Sequence, residues 1–91
     1  MRRPFLNARS LAIIDSFGDE IMKALQDLRP GEQVVITLRY GLSRQEPRTY
    51  KELADMFHLS IARVQNFERS GISTLRHLSD RRTEHAGSAR E

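Results

Sequence analysis

The stretch Thr49-Tyr50-Lys51-Glu52-Leu53-Ala54-Asp55-Met56-Phe57-His58-Leu59-Ser60-Ile61-Ala62-Arg63-Val64-Gln65-Asn66-Phe67 decides the fold. Thr49 followed by Glu52 has the form of a capping box, in which two side chains satisfy amides left free at a helix start. A short helix follows and ends around His58, and Ser60 is suited to cap the next one. Leu53, Ala54 and Phe57 make one face of the first helix. Leu59 plugs the turn, Val64 and Phe67 return the second helix onto that face, and the small Ala54 lets the two axes approach. Two helices joined in this way by a three-residue turn form a helix-turn-helix. Taken alone, the pattern fits a DNA-binding unit and a purely structural helix pair.

On the C-terminal side, Val64, Phe67, Gly71, Leu75 and Leu78 recur every three or four residues and prolong the second helix. From about Asp80 the apolar period stops, so residues 80–91 are expected to form a flexible tail. On the N-terminal side, Ser43 to Arg48 holds a proline, three charges and no apolar residue, which reads as an exposed loop. Before it, a helix is expected from about Pro30 to Tyr40, with Val34, Val35 and Leu38 on its buried side and Gly41 as its left-handed stop. Earlier still, Leu11, Ile13, Ile14, Phe17, Ile21, Leu25 and Leu28 follow helical spacing, broken at Gly18. One weakened helix and two helices meeting near Ser16 to Asp19 both satisfy that pattern. Gly71 would cost its helix roughly 1 kcal/mol, and close helix approach is the expected reason for it. The expected architecture is all-α, a small bundle of four to five helices containing the helix-turn-helix at about 49–70. Residues 1–8 would be an N-terminal tail and 9–79 the domain.

Composition narrows the function. Ninety-one residues with 38% apolar and 30% charged side chains make one small domain, with little room for a catalytic cleft beside its core. The absence of cysteine excludes disulfides and thiolate metal sites. His58, His77 and His85 share no metal-ligand spacing, so no metal and no cofactor is expected. The acids Asp15, Asp19, Glu20 and Asp27 suit the wet side of a helix and lack a nucleophile beside them, so an enzyme is not expected. No apolar run is long enough to span a bilayer. The basic start Met1-Arg2-Arg3-Pro4-Phe5 is not followed by an apolar stretch of signal-peptide length, so a cytoplasmic location without membrane contact is expected. The net charge of +3 hints at a polyanionic partner.

With Val64, Phe67, Gly71 and Leu75 inward, a 100° step per residue points Ala62, Gln65, Asn66, Arg69 and Ser73 outward, flanked by Ile61 and Arg63. Gln and Asn bond the adenine edge in pairs, and Ile or Ala can touch a thymine methyl. Arg39, Arg44, Arg48, Lys51, Arg63 and Arg69 are candidates for holding phosphates, which supplies affinity and not sequence choice. Thr49 and Tyr50 sit at a helix start, where free amides favour a phosphate. The alternative for the whole set is a solvated polar face.

The run Leu28-Arg29-Pro30-Gly31-Glu32-Gln33-Val34-Val35-Ile36-Thr37-Leu38-Arg39-Tyr40-Gly41-Leu42, the polar loop and Thr49 to Ala54 closely resemble region 4 of sigma-70 family transcription initiation factors. The likeness continues through Leu59, Ser60, Arg63 to Glu68 and Leu75-Arg76, covering roughly residues 20 to 78, and the loop before Thr49 looks like that of primary-type members. The resemblance implies a recognition helix in the major groove of the promoter minus-35 element. It also implies an apolar groove that grips the β flap of RNA polymerase, with Val35, Leu38, Tyr40, Leu75 and Leu78 as the matching positions. The same five residues also suit a bundle core. At Ile61, Ala62 and Gln65 the family typically carries charged residues, so a different upstream sequence is one expectation. The other is a free-standing region 4 mimic that regulates transcription through RNA polymerase or an anti-sigma protein with little base readout. Ninety-one residues leave no room for the further regions of a complete sigma factor.

Overall fold

The computed structural model describes residues 6–42 and 44–89, the last eight of them as helix backbone. Among these residues the chain is all helix and loop, with five α-helices: α1 (Ala8–Asp15), α2 (Ile21–Leu25), α3 (Pro30–Arg39), α4 (Tyr50–Phe57) and α5 (Ile61–Ala89). The first apolar pattern resolves into two helices. Asn7 caps α1 by accepting from the amides of Arg9 and Ser10 at 2.9 and 3.2 Å. The break falls at Gly18, whose φ of 54° a continuous α-helix does not allow, and a 3-10 turn over Gly18–Glu20 leads into α2.

Pro30 opens α3, and the Glu32 carboxylate accepts the Arg29 amide at 3.1 Å. Gly41, with φ 64°, ends the helix where the chain doubles back. A Cβ there would lie 2.4 Å from the Gln45 carbonyl oxygen, so no other residue fits this turn. The returning loop is tied to α3 by the Arg48 amide, which donates to the Leu38 carbonyl at 3.0 Å. The capping box forms as its sequence requires: the Glu52 amide donates to the Thr49 hydroxyl at 3.1 Å, and the Thr49 amide donates to Glu52 Oε1 at 2.8 Å. His58, in the left-handed conformation, turns the chain out of α4, and the Ser60 hydroxyl accepts the Arg63 amide at the start of α5.

Two apolar clusters result. Ile14, Phe17, Leu25, Leu28, Ile36, Tyr40 and Leu75 unite α1, α2, α3 and α5. Val35, Leu53, Ala54 and Val64 unite α3, α4 and α5, with Leu38, Leu59 and Phe67 half-buried around them. Thus α3 lies between the clusters and gives Ile36 to one and Val35 to the other. Gly71 marks the crossing of α3 and α5: a Cβ there would come within 2.3 Å of Ile36 Cδ1. Close helix approach is the reason for that glycine.

Three expectations are corrected. Val34 is 40% exposed and Ile36 fully buried, because α3 is sandwiched and turns two faces inward where a single stripe was read. Phe57 is 39% exposed, since α4 ends at that residue and its ring lies past the edge of the cluster. Residues 80–89 are helical: α5 carries on through Ala89 without an apolar period, as polar residues of adequate propensity can do once a packed helix is nucleated.

Candidate nucleic-acid interface

Behind the helix-turn-helix lies a buried polar network. Glu68, on the inner side of α5, accepts hydrogen bonds from the hydroxyls of Tyr40 at 2.5 Å and Tyr50 at 2.6 Å. The Arg39 guanidinium sits 4.1 Å from the centre of the Tyr50 ring, and its Nε is 3.8 Å from Glu68. Its Nη1 donates to the Arg48 carbonyl at 2.8 Å. These groups come from the end of α3, the start of α4, the loop between them and the third turn of α5. They tie α5 to the end of α3 and the start of α4. Burial raises the Tyr40 hydroxyl well above its ordinary range, and the Glu68 carboxylate pushes it further; Tyr50 is raised for the same reasons, burial first. A second tie joins the Ser70 hydroxyl to the buried Glu32 carboxylate across the α3–α5 crossing.

Arg39 is therefore corrected as a phosphate contact. Only 5% of it is exposed, and the network holds its charged head inside. Tyr50 likewise directs its hydroxyl to Glu68, and the amide and hydroxyl of Thr49 are both engaged by Glu52. At the start of α4 the amides without an intrahelical acceptor are those of Tyr50 and Lys51, next to the Glu52 carboxylate. The Thr49 amide and hydroxyl, together with nearby Arg48, hold that carboxyl below its usual range. Arg44 and Lys51 are exposed, Lys51 lying 3.4 Å from Asp55. Arg48 is half-buried, 4.0 Å from Glu52.

On α5, Ala62, Arg63, Asn66, Arg69 and Ser73 are exposed, Ile61 is 46% exposed and Gln65 is half-buried, close to the pattern read from the 100° step. The Arg63 guanidinium lies 5.4 Å from the Phe67 ring centre, on the flank of the helix. Gln65 and Arg69 also border an open cleft of about 330 Å³ whose other wall is Asn7 and Ser10 of the N-terminal segment. That segment runs along α5, where the Ser16 and Ser79 hydroxyls meet at 3.0 Å.

The structure shows the burial of the positions read for an apolar groove. Val35, Tyr40 and Leu75 are buried in the core, and the half-buried Leu38 and Leu78 belong to different clusters. In this domain three of the five thus serve the core, and Leu38 and Leu78 are the ones that retain exposed surface. The sequence reading missed Glu68 as the centre of the network. Its signal was a carboxylate at an inward step of α5, beside Phe67, in a chain with two tyrosines placed near helix ends. Among the described residues no cluster of three His, Cys, Asp or Glu could hold a metal ion, and no helix is long and apolar enough to cross a membrane.

The model of the family "Sigma-70, region 4" matches residues 24–77. The chain belongs to the sigma-70 region 4 family. That family is one of non-enzymatic transcription factor domains. The match begins within α2, so α1 lies outside it. Among full-length proteins, the chain is 32% identical over 71 residues to the RNA polymerase principal sigma factor HrdC of Streptomyces coelicolor, covering 78% of this chain and 21% of the relative. It is 33% identical over 61 residues to the RNA polymerase sigma factor SigA of Clostridium acetobutylicum, covering 67% and 16%, and 32% identical over 59 residues to SigA of a Nostoc species, covering 65% and 15%. The chain thus spans between 15% and 21% of the length of these relatives. No solved structure matches it.

Proposed function

We propose that this region 4 domain acts in transcription initiation, setting the first turns of α5 into the major groove of a promoter minus-35 element while it docks on the β flap of RNA polymerase in the cytoplasm. The observation that carries the reading is the exposed row Ile61, Ala62 and Asn66, which projects from a helix-turn-helix tied together by Glu68. In such motifs the N-terminal residues of the second helix meet the base edges. Arg44, Lys51, Arg63 and Arg69 surround the row and are placed to meet phosphates, with Arg48 at its edge. With Val35, Tyr40 and Leu75 in the core, flap contact falls to Leu38 and Leu78. A gel shift with promoter duplex at low and moderate salt, run beside a pull-down with the β-flap fragment, tests both halves. Binding in both assays is expected, and the duplex affinity should fall as salt rises.

One observation favours a second reading. The first two turns of α5 contain a single cation, Arg63. A domain of that kind could work as a region 4 mimic, regulating RNA polymerase through the flap or an anti-sigma protein with little base readout. Flap capture without duplex binding at any salt would select it.

A further inference from the structure

We infer that the recognition face of this domain selects A·T base pairs and reads no guanine or cytosine, through Asn66 on adenine and Ile61 and Ala62 on thymine methyl groups. The inference rests on the DNA-contacting reading above and names the class of sequence it takes. Guanine is read by Arg or Lys forked onto O6 and N7, and cytosine by Asp or Glu accepting from N4. Over residues 61–68 the charged side chains are Arg63 and Glu68. Arg63 lies on the flank against the Phe67 ring, and Glu68 is bound by two tyrosine hydroxyls on the opposite side of the helix. Over residues 61–68 the face between them is left neutral. Its exposed groups are the Asn66 amide, which matches the adenine N6 and N7 pair, and the apolar surfaces of Ile61 and Ala62. Residues 62 and 66 are separated by about 6 Å along the axis, less than two base-pair steps of about 3.4 Å. These groups therefore cover two or three adjacent pairs. Arg69 is exposed on the same face but lies about 10 Å along the axis from Ala62, past the first two turns whose residues meet base edges in such motifs, and borders the cleft walled by Asn7 and Ser10.

The test is selection by the full chain from a randomised duplex library, followed by binding to the enriched duplex. Enrichment of two or three adjacent A·T pairs is expected, with Asn66→Ala weakening binding about tenfold on the enriched duplex and less than twofold on a scrambled one. Replacing thymine by uracil at those pairs removes the C5 methyl and should weaken binding about threefold, an effect that Ile61→Ala reduces, Ala62 retaining its own methyl contact. Both positions are exposed, and unchanged far-UV circular dichroism of the variants would exclude misfolding. A conserved guanine or cytosine in the enriched set, or indifference to uracil together with indifference to Asn66→Ala, would overturn the inference while leaving DNA binding intact. Failure to retain any duplex, with flap capture preserved, would overturn this inference and the DNA-contacting reading together.

Discussion

The cluster that joins α1, α2, α3 and α5 buries seven large side chains, whereas the helix-turn-helix cluster buries four, one of them the alanine at position 54. The smaller cluster is edged by Arg39, Tyr50 and Glu68. The difference follows from helix length. With eight residues, α4 presents two fully inward positions, Leu53 and Ala54, and cannot fix its own crossing angle by apolar area alone. Hydrogen bonds from Tyr40 and Tyr50 to one carboxylate supply the direction that a thin core lacks. In this domain the larger apolar area lies in the larger cluster, and the polar seam ties α5 to α3 and α4.

The sharpest way to break this contrast is Glu68→Ala. Removing the carboxylate leaves two buried hydroxyls and the Arg39 guanidinium without their shared partner, and a loss of about 3–5 kcal/mol is expected from urea unfolding. A loss under about 1 kcal/mol would mean that the seam is ornamental. Leu75→Ala, at the centre of the larger cluster, should cost about 3 kcal/mol. That change should also leave duplex affinity unaltered in the folded fraction, whereas Glu68→Gln, milder in stability, should weaken it.

Alkaline pH probes the seam without mutation. Because the folded-state values of Tyr40 and Tyr50 are raised, their contribution is complete below about pH 10, where an unfolded tyrosine titrates. Above that pH the unfolded chain loses protons first, so stability should fall as pH rises, by at most about 1.4 kcal/mol per pH unit for each tyrosine. Thermal melts between pH 9 and 11.5 would show this, and Tyr40→Phe should flatten the slope. An unchanged slope in that variant would remove Tyr40 from the explanation.

A smaller effect belongs to the start of α4. Thr49→Ala should cost about 1 kcal/mol by removing the cap. Glu52, held below its ordinary range, contributes stability above the usual carboxylate value, and this is lost as pH falls through its lowered one. Melts from pH 6 to 2.5 should therefore show a shallower acid limb in Thr49→Ala. At the bottom of the scale, Asn66→Ala is expected to change stability by no more than about 0.5 kcal/mol, which would separate the reading face from the seam that aims it.

Much of this was legible in the residues. The Thr49 and Glu52 cap, the turn at His58, the Ser60 cap, the stop at Gly41 and the outward set on α5 are local patterns, and a chain segment carries them wherever it goes. Ile36 and Val34 were misplaced because a sandwiched helix has two buried faces and the period of one stripe does not reveal the second. Arg39 was read as a surface cation because its partners, Tyr50 and Glu68, lie 11 and 29 residues away along the chain. Val35, Tyr40 and Leu75 are buried for a related reason: apolar residues that suit a surface groove equally suit the two clusters, and only the packing assigns them.

The sequence by itself determined an all-helical chain, where most of its helices start and stop, which side of the first turns of α5 faces out, and the family to which it belongs. Those features depend on interactions within a few residues or on a motif written in order. Only the tertiary structure decided that α1 packs along α5, that α3 serves two clusters, and that Arg39, Tyr40, Tyr50 and Glu68 meet. A buried charge is tolerable only where distant segments bring it partners, and that encounter is a property of the packed helices and not of any one of them.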